Sequence, residues 1–477
     1  VYKNTLVCNL EKFRHIQGIS LENVNGTEIP VITLDAGVIT EKAEDYAHSR
    51  GYIFATDPTS AWASTIGGNI AENCGGKKAV MWGTAIDNIF SFRLVNSMGD
   101  LIEIKRRNHP YRKILPEDEV LFDIYTVTEE SKQLSHTITL QGTDIRKKGI
   151  GKDITNKALG GLPGIQKEGG DGIIVSAQFV LYKPFSHRQT ICLEFFGNNL
   201  INASQAIVDI LNHFKEKKVT FLTALEHFDE KYVLAINYKN KSDRKEIPKA
   251  VLLIDVESND LEELENETSS VISMVGKYNT EGFIAKDIKA QTQFWKDRKN
   301  LGAIARHTNA FKLNEDVVIP IEALPEFADF IEMLNLKKEL KNNLEAIEEI
   351  RDFLLSEKIS NQNEDSFLQT KISSFHLLLD NVKELYTSYY QNIEAPVSDV
   401  ISSAEFVTGS STDEKTVFDV VREKIISIDI KKDVIESFHE SFHGYNEIIE
   451  LFDEKINGKL NKKIIIATHM HAGDGNI

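Results

Sequence analysis

Apolar positions follow three different rhythms along the chain. Up to about residue 110, short runs of β character (TLVCNL, IPVITLDAGVI, GYIFAT) alternate with polar turns, which predicts strands and few helices. A small-residue segment, TIGGNIAENCGGKKAVMWG from Thr65 to Gly83, interrupts them. Lys105 to Lys148 reads as a polar, loop-like passage, and a glycine-rich stretch from Gly151 then leads into a strand ending near Tyr182. Pro184 marks a boundary.

The second rhythm begins at Ile191. A strand (ICLEFF), a helical pattern from Ala203 to Lys217 and a strand (VTFLTAL) are followed by a strand (AVLLIDV), a helix from Leu261 to Tyr278 and a strand (GFIAKDI). This doubled β-α-β order predicts a ferredoxin-like α+β unit.

From Leu324 to about Gly458 the pattern is helical. Apolar side chains fall three and four apart at Phe327, Phe330, Ile331 and Leu334, then from Leu368 through Ile372, Phe375, Leu379, Val382 and Tyr386 to Tyr389. A third run puts Ile435, Phe438, Phe442, Tyr445, Ile449, Phe452 and Ile456 on one stripe, so long amphipathic helices are expected. KKIIIATHMHAGDGNI then reads as a buried strand ending in a tight turn.

Composition narrows the class. The 477 residues suit roughly two to four domains, and 41% hydrophobic with 27% charged residues is ordinary globular chemistry. Asp and Glu outnumber Lys and Arg by 72 to 55, and the resulting charge of −17 repels nucleic acid and anionic lipid as main partners. Cys8, Cys74 and Cys192 are too few and too scattered for a disulfide framework or a four-thiolate cluster, which fits a reducing, cytoplasmic compartment. No apolar run reaches the ~18 residues of a membrane span. The chain opens on Val1 and stops just inside a turn, so it reads as a fragment of a longer protein.

Two glycine-rich segments suggest a dinucleotide ligand. Gly67, Gly68, Gly75, Gly76 and Gly83 allow close backbone approach, with Ser64, Thr65, Asn69 and Asn73 as short polar neighbours. This is neither a Rossmann fingerprint nor a P-loop. The second segment, from Glu168 through Gly169 and Gly172 to Ile174, feeds an apolar strand.

At these residues the chain resembles a known family. DPTSAWASTIGGNIAENCGG and QKEGGDGIIVSAQFVL are similar to the second half of the FAD-binding domain of the vanillyl-alcohol-oxidase, or PCMH-type, flavoproteins. HMHAGDGN resembles the H-x-GDGN-x-H signature of their D-2-hydroxyacid dehydrogenase branch, which includes D-lactate, glycolate and D-2-hydroxyglutarate dehydrogenases. KDITNKALGGLPGIQKEGGDG and FWKDRKNLGAIARHTNAFKLNEDVVIP are most similar to large bacterial members with an iron–sulfur module after the flavin module. The resemblance implies an α+β fold: a PCMH-type FAD-binding domain over 1–184, lacking its first phosphate loop, then a ferredoxin-like cap (the FAD-linked oxidase C-terminal domain) over 185–325. A helical insert would fill 326–460, and the strand of the metal and flavin motif would begin over 461–477.

It also implies roles. Pro58, Ser64, Thr65, Gly67, Gly68, Asn69, Asn73, Gly75, Gly76 and Gly83 would border the FAD, with Glu168, Gly169, Gly172 and Ile174 on its adenosine side. Asp474 and Asn476 would hold the last turn against the flavin. His471 would bind a divalent metal, typically zinc, together with a histidine one residue beyond Ile477 and a later acid. Arg298 would clamp a substrate carboxylate, a task suited to a bidentate guanidinium. Arg306, His307 and Asn309 form a further polar cluster, and Lys312 is a substrate-binding candidate at longer spacing from Asp316 than in relatives. The implied reaction oxidises a D-2-hydroxy acid to the 2-oxo acid by hydride transfer to flavin N5, the metal polarising the hydroxyl and His469 or His307 taking its proton. The electron acceptor is unassigned, any iron–sulfur cluster lies outside this chain, and peripheral contact with the inner face of a membrane is compatible with this class.

Two other classes compete. His439-Glu440-Ser441-Phe442-His443 satisfies H-E-x-x-H, a zinc-peptidase pattern, though no G-x-x-H continuation follows. The long insert would also suit a non-catalytic interaction module on a flavin fold.

Overall fold

The computed structural model describes residues 8–154, 156–296, 317–356, 359, 366–400, 415–460 and 466–475. Of 457–460 and His469 it describes the backbone alone.

The first unit is a seven-stranded antiparallel sheet in the order β1-β2-β7-β3-β4-β5-β6. Its strands are β1 (Ile16–Val24), β2 (Thr27–Asp35), β3 (Ile89–Asn96), β4 (Leu101–Arg106), β5 (Glu119–Val127), β6 (Lys132–Gln141) and β7 (Gly172–Val180). Asn25 and Gly26, both at positive φ, close the β1–β2 hairpin, the backbone that a two-residue turn of matching twist requires. β7 inserts between β2 and β3, which brings the second glycine-rich segment back to the middle of the sheet. The connection from β2 to β3 carries helices Thr40–Ser49 and Ile66–Ala71. Ile66 and Ile70 join Leu34, Phe92 and Phe179 in one core.

The polar passage from Lys105 to Lys148 is a correction to the sequence reading, because it folds as the β5–β6 hairpin. Val120, Phe122 and Ile124 alternate inward on β5, whereas β6 begins with five exposed residues at the sheet edge. Such an edge strand buries too little apolar surface to stand out in the sequence.

The second unit has the expected ferredoxin-like order. Strands β8 (His187–Phe195), β9 (Thr220–Asp229), β10 (Ala250–Ser258), β11 (Thr280–Ile284) and β12 (His469–Met470) form a sheet ordered β11-β8-β10-β9-β12. Helices Ile201–Phe214 and Leu261–Val275 cover one face, where Ile191, Leu193, Ile254 and Val256 meet Ile207, Ile210 and Val271. The alternation of strand side chains leaves Thr190, Cys192, Asp255 and Glu257 on the other face. β12 adds the chain's last described turn to the β9 edge.

The helical region starts with helix Leu324–Leu354, which Pro325 opens at a position where its missing N–H costs nothing. Helix Ser366–Gln391 shares a core with it through Leu340, Ile347, Ile350, Phe375 and Leu379. The third apolar run is not one helix. A π-helical turn (Lys431–Glu436) leads into Ser437–Ser441, Gly444 breaks the chain at φ 93°, and a new helix runs over Asn446–Leu460. Its aromatic residues still converge, with Phe438 and Phe452 stacked 3.7 Å apart, so the apolar spacing predicted burial correctly and continuity incorrectly.

Candidate active site

Each short polar residue of the first glycine-rich loop has a structural task. Thr65 caps helix Ile66–Ala71, its Oγ1 accepting from Gly68 N at 3.3 Å. Ser64 and Thr40 share a hydroxyl hydrogen bond of 2.8 Å, and Asn69 Nδ2 donates to Thr40 Oγ1 at 2.9 Å. Pro58 opens the preceding turn, its carbonyl accepting from Ala61 N at 2.9 Å. Asn73, left-handed at φ 51°, accepts from Ile86 N and donates to Asp153 at 2.7 Å. Thr84 donates to the same carboxylate at 2.6 Å.

The glycines divide by what replaces the missing Cβ. At Gly76 that atom would lie 2.1 Å from the Asp57 carbonyl, at Gly83 2.0 Å from the Asp87 carboxylate, and at Gly67 3.0 Å from Ala36. Gly75 faces Thr84 at 3.2 Å. These glycines are required by the protein's own packing. Gly68 meets only the Thr65 hydroxyl. In the second segment, Gly172 at φ 146° lies against Val95, whereas Gly169 faces open space at φ 77°. Glu168 is exposed and pairs with Lys157 at 2.7 Å, while Ile174 is buried. Gln166 N and Glu168 N donate to Ile70 O and Ala71 O, so the fold seats this turn on the first glycine-rich helix.

Beneath the loop lies an ion pair that sequence reasoning missed. Asp87 accepts from Thr84 N at 2.8 Å and Ile114 N at 2.7 Å, and Arg146 Nη2 stands 3.0 Å away. Burial alone would raise the Asp87 pKa, but Arg146 and these hydrogen bonds outweigh it and hold the carboxyl below its ordinary range.

The last turn is clamped between the two units. A Cβ on Gly473 would lie 2.6 Å from Val80, and one on Gly151 would lie 2.7 Å from Asp474 Cα. Lys152 N donates to Asp474 O at 2.9 Å, Gly473 N to Leu225 O at 3.1 Å and Ile319 N to Gly475 O at 3.2 Å. His471 is thereby set beside β9, where its Nδ1 lies 2.8 Å from Oε1 of the fully buried Glu226. Glu226 was also missed in the sequence. Nearby, burial and then Arg146 push the Lys113 ammonium down to about 8, and it donates to Val80 O at 3.0 Å.

Arg298, Arg306, His307, Asn309, Lys312 and Asn476 lie outside the described residues. The backbone of His469 pairs with Phe228 on β9, but its side chain is not described. Among the described residues no group of three or more His, Cys, Asp or Glu side chains could hold a metal. The peptidase pattern does not hold its zinc-binding geometry in the fold. Helix Ser437–Ser441 ends before His443, and His439 is engaged by Asp453 at 2.8 Å.

Comparison with known families decides the class. The FAD binding domain matches residues 2–105, and the C-terminal domain of FAD linked oxidases matches residues 198–343. The chain joins an FAD-binding domain to an FAD-linked oxidase C-terminal domain. The first match lies on the first sheet, up to β4, and the second on the second sheet and the start of the helical region.

Similarity to individual proteins is lower. A D-2-hydroxyglutarate dehydrogenase of Stutzerimonas stutzeri (strain A1501) is 34% identical over 70 residues, 15% of this chain and 15% of that protein. The glycolate oxidase subunit GlcD of Bacillus subtilis (strain 168) is 35% identical over 97 residues, 20% of this chain and 19% of that protein. A mitochondrial D-lactate dehydrogenase (cytochrome) of Arabidopsis thaliana is 22% identical over 328 residues, 68% of this chain and 47% of that protein. The chain thus spans about half, or less, of the length of these relatives. Among solved structures, an alkyldihydroxyacetonephosphate synthase matches at 16% identity and a TM-score of 0.38, covering 62% of this chain and 45% of that one.

The flavin domain has polar atoms suited to such a cofactor. Asn69 Oδ1 and Thr56 Oγ1, on the two sides of the loop from Asp57 to Thr65, are buried and have no hydrogen-bond partner among the described residues. Buried polar atoms in that condition cost free energy unless a ligand satisfies them.

Proposed function

We propose that the chain is the flavin-binding and substrate-binding part of an FAD-dependent dehydrogenase of D-2-hydroxy acids, of the D-lactate or D-2-hydroxyglutarate class. The observation that carries this reading is the Glu226–His471 pair on the cap sheet, in a turn clamped to the flavin domain. The relatives named above act on small hydroxy acids, and their names agree with it.

A carboxylate 2.8 Å from Nδ1 keeps a proton on that nitrogen, so the neutral ring has its basic lone pair at Nε2. Through Nε2, His471 accepts the proton of the α-hydroxyl as the C–O bond gains double-bond character. Glu226 stabilises the imidazolium that forms. FAD supplies the hydride acceptor, which no side chain can offer. Loop residues Ser64 to Gly76 and the turn at Gly169 would border FAD, and Arg298 would take the substrate carboxylate. The resemblance instead gives the His471 ring to a divalent metal, with further ligands beyond Ile477, and the proton to His469 or His307. Electrons then leave to an acceptor beyond this chain, an iron–sulfur module if the resemblance to the large bacterial enzymes holds. No described helix is long and apolar enough to cross a membrane.

Turnover with a dye acceptor tests the reading. The FAD-loaded protein should oxidise D-lactate or D-2-hydroxyglutarate and leave the L enantiomers untouched. Bound FAD with no turnover of these acids or glycolate would point instead to a non-catalytic flavin fold.

A further inference from the structure

Lys77 leaves the glycine-rich loop immediately after Gly76 and crosses to the cap. Its ammonium lies 3.1 Å from Asp255 Oδ2 and 3.9 Å from the centroid of the Trp295 ring. The other oxygen of Asp255 accepts from Trp295 Nε1 at 2.9 Å and from Thr190 Oγ1 at 2.5 Å. Both charged groups are well covered, the side chains being 17% and 3% exposed. Burial would raise the Asp255 pKa, but Lys77 and Arg188 outweigh it and hold the carboxyl low.

Three elements meet at this point. Lys77 belongs to the flavin loop, Asp255 and Thr190 face each other at the centre of the cap sheet, and Trp295 closes helix Ile288–Lys296. The same helix is held a turn earlier, where Gln291 Oε1 accepts from Arg188 at 3.2 Å. Trp295 stands three residues before Arg298. A buried ion pair is rarely the most stable way to fill such a space, and its best-attested advantage is register. An apolar contact at Lys77 would let the helix slide, whereas a charge, an indole N–H and a ring face fix its position from three directions.

We propose that Lys77, Asp255 and Trp295 form an interdomain latch that registers helix Ile288–Lys296 of the cap against the flavin loop. Lys77 is then a positioning residue for hydroxy-acid binding. This rests on the function proposed above for the site, but its test has a readout that does not need turnover.

Lys77→Met keeps the aliphatic stem and removes the charge. These 477 residues carry three tryptophans, Trp62, Trp82 and Trp295, so 5-fluorotryptophan labelling gives three ¹⁹F resonances, with Trp295→Phe assigning one. K77M should shift the Trp295 resonance alone, retain FAD, and raise KM for a D-2-hydroxy acid about tenfold with kcat within about twofold. Lys77→Arg should restore both resonance and KM. An unmoved Trp295 resonance, movement of all three, or equal loss of kcat and kcat/KM with unchanged KM would overturn the latch. If the wild type oxidises no hydroxy acid, the proposed activity fails, and the Trp295 resonance still decides the latch.

Discussion

Arg146→Met is expected to cost about 3–5 kcal/mol of folding stability and to strip the protein of FAD. The side chains of Arg146 and Asp87 are 3% and 0% exposed, and they pair at 3.0 Å. Methionine fills much the same volume but leaves a buried carboxylate without its counter-charge. The damage should reach the ligand because Asp87 holds Thr84 N, and Thr84 holds the Asp153 carboxylate that also fixes Asn73. Arg106 adds a hydrogen bond to the Asp87 carbonyl at 3.1 Å but cannot replace the lost partner of the side chain. Urea unfolding and the flavin-to-protein absorbance ratio measure the two effects. The double variant Arg146→Met with Asp87→Asn should recover part of the loss, because the unpaired charge has been removed as well. A loss under about 1 kcal/mol in R146M would mean that the pair is not what supports the loop.

His471→Ala should lower kcat by about 10²–10⁴-fold with FAD content unchanged, because it removes the proton acceptor and leaves the backbone of the clamped turn in place. Glu226→Gln should cost less, about 10–100-fold, as expected when a residue orients the reacting group without meeting substrate. Gln can still accept from Nδ1–H but carries no charge to balance the imidazolium. Stopped-flow reduction of the bound flavin isolates this step from reoxidation. Loss of FAD in H471A, or full activity in E226Q, would remove the pair from the mechanism.

Much of the scaffold was legible. Short apolar runs marked β8 and β10, and the doubled β-α-β order predicted the ferredoxin-like unit that the cap sheet forms. The β5–β6 hairpin was not, because β6 exposes its first five residues and reads as a polar loop. The break at Gly444 was hidden for the opposite reason. Apolar residues keep a spacing of three and four across it, since both helices bury them in the same core.

In the site, the glycines could be recognised from sequence, but their individual reasons could not. Gly76 and Gly83 are small because Asp57 and Asp87 occupy the space where a side chain would start, which only the fold reveals. Glu226 and Asp255 did leave a signal. Each is an acid inside a largely apolar strand, VTFLTALEHF and AVLLIDV, and a carboxylate buried in such a place needs a partner. Those partners, His471 and Lys77, are far away in sequence, so the pairing itself could not be read there.

The most direct test of the central claim is anaerobic titration of the FAD-loaded protein with single enantiomers of lactate and 2-hydroxyglutarate, followed at the flavin band near ~450 nm. The account predicts that a D acid bleaches the band and yields one equivalent of 2-oxo acid per flavin, while the L acid leaves the spectrum unchanged. A band that survives both D acids, or that bleaches with the L acid alone, would contradict it.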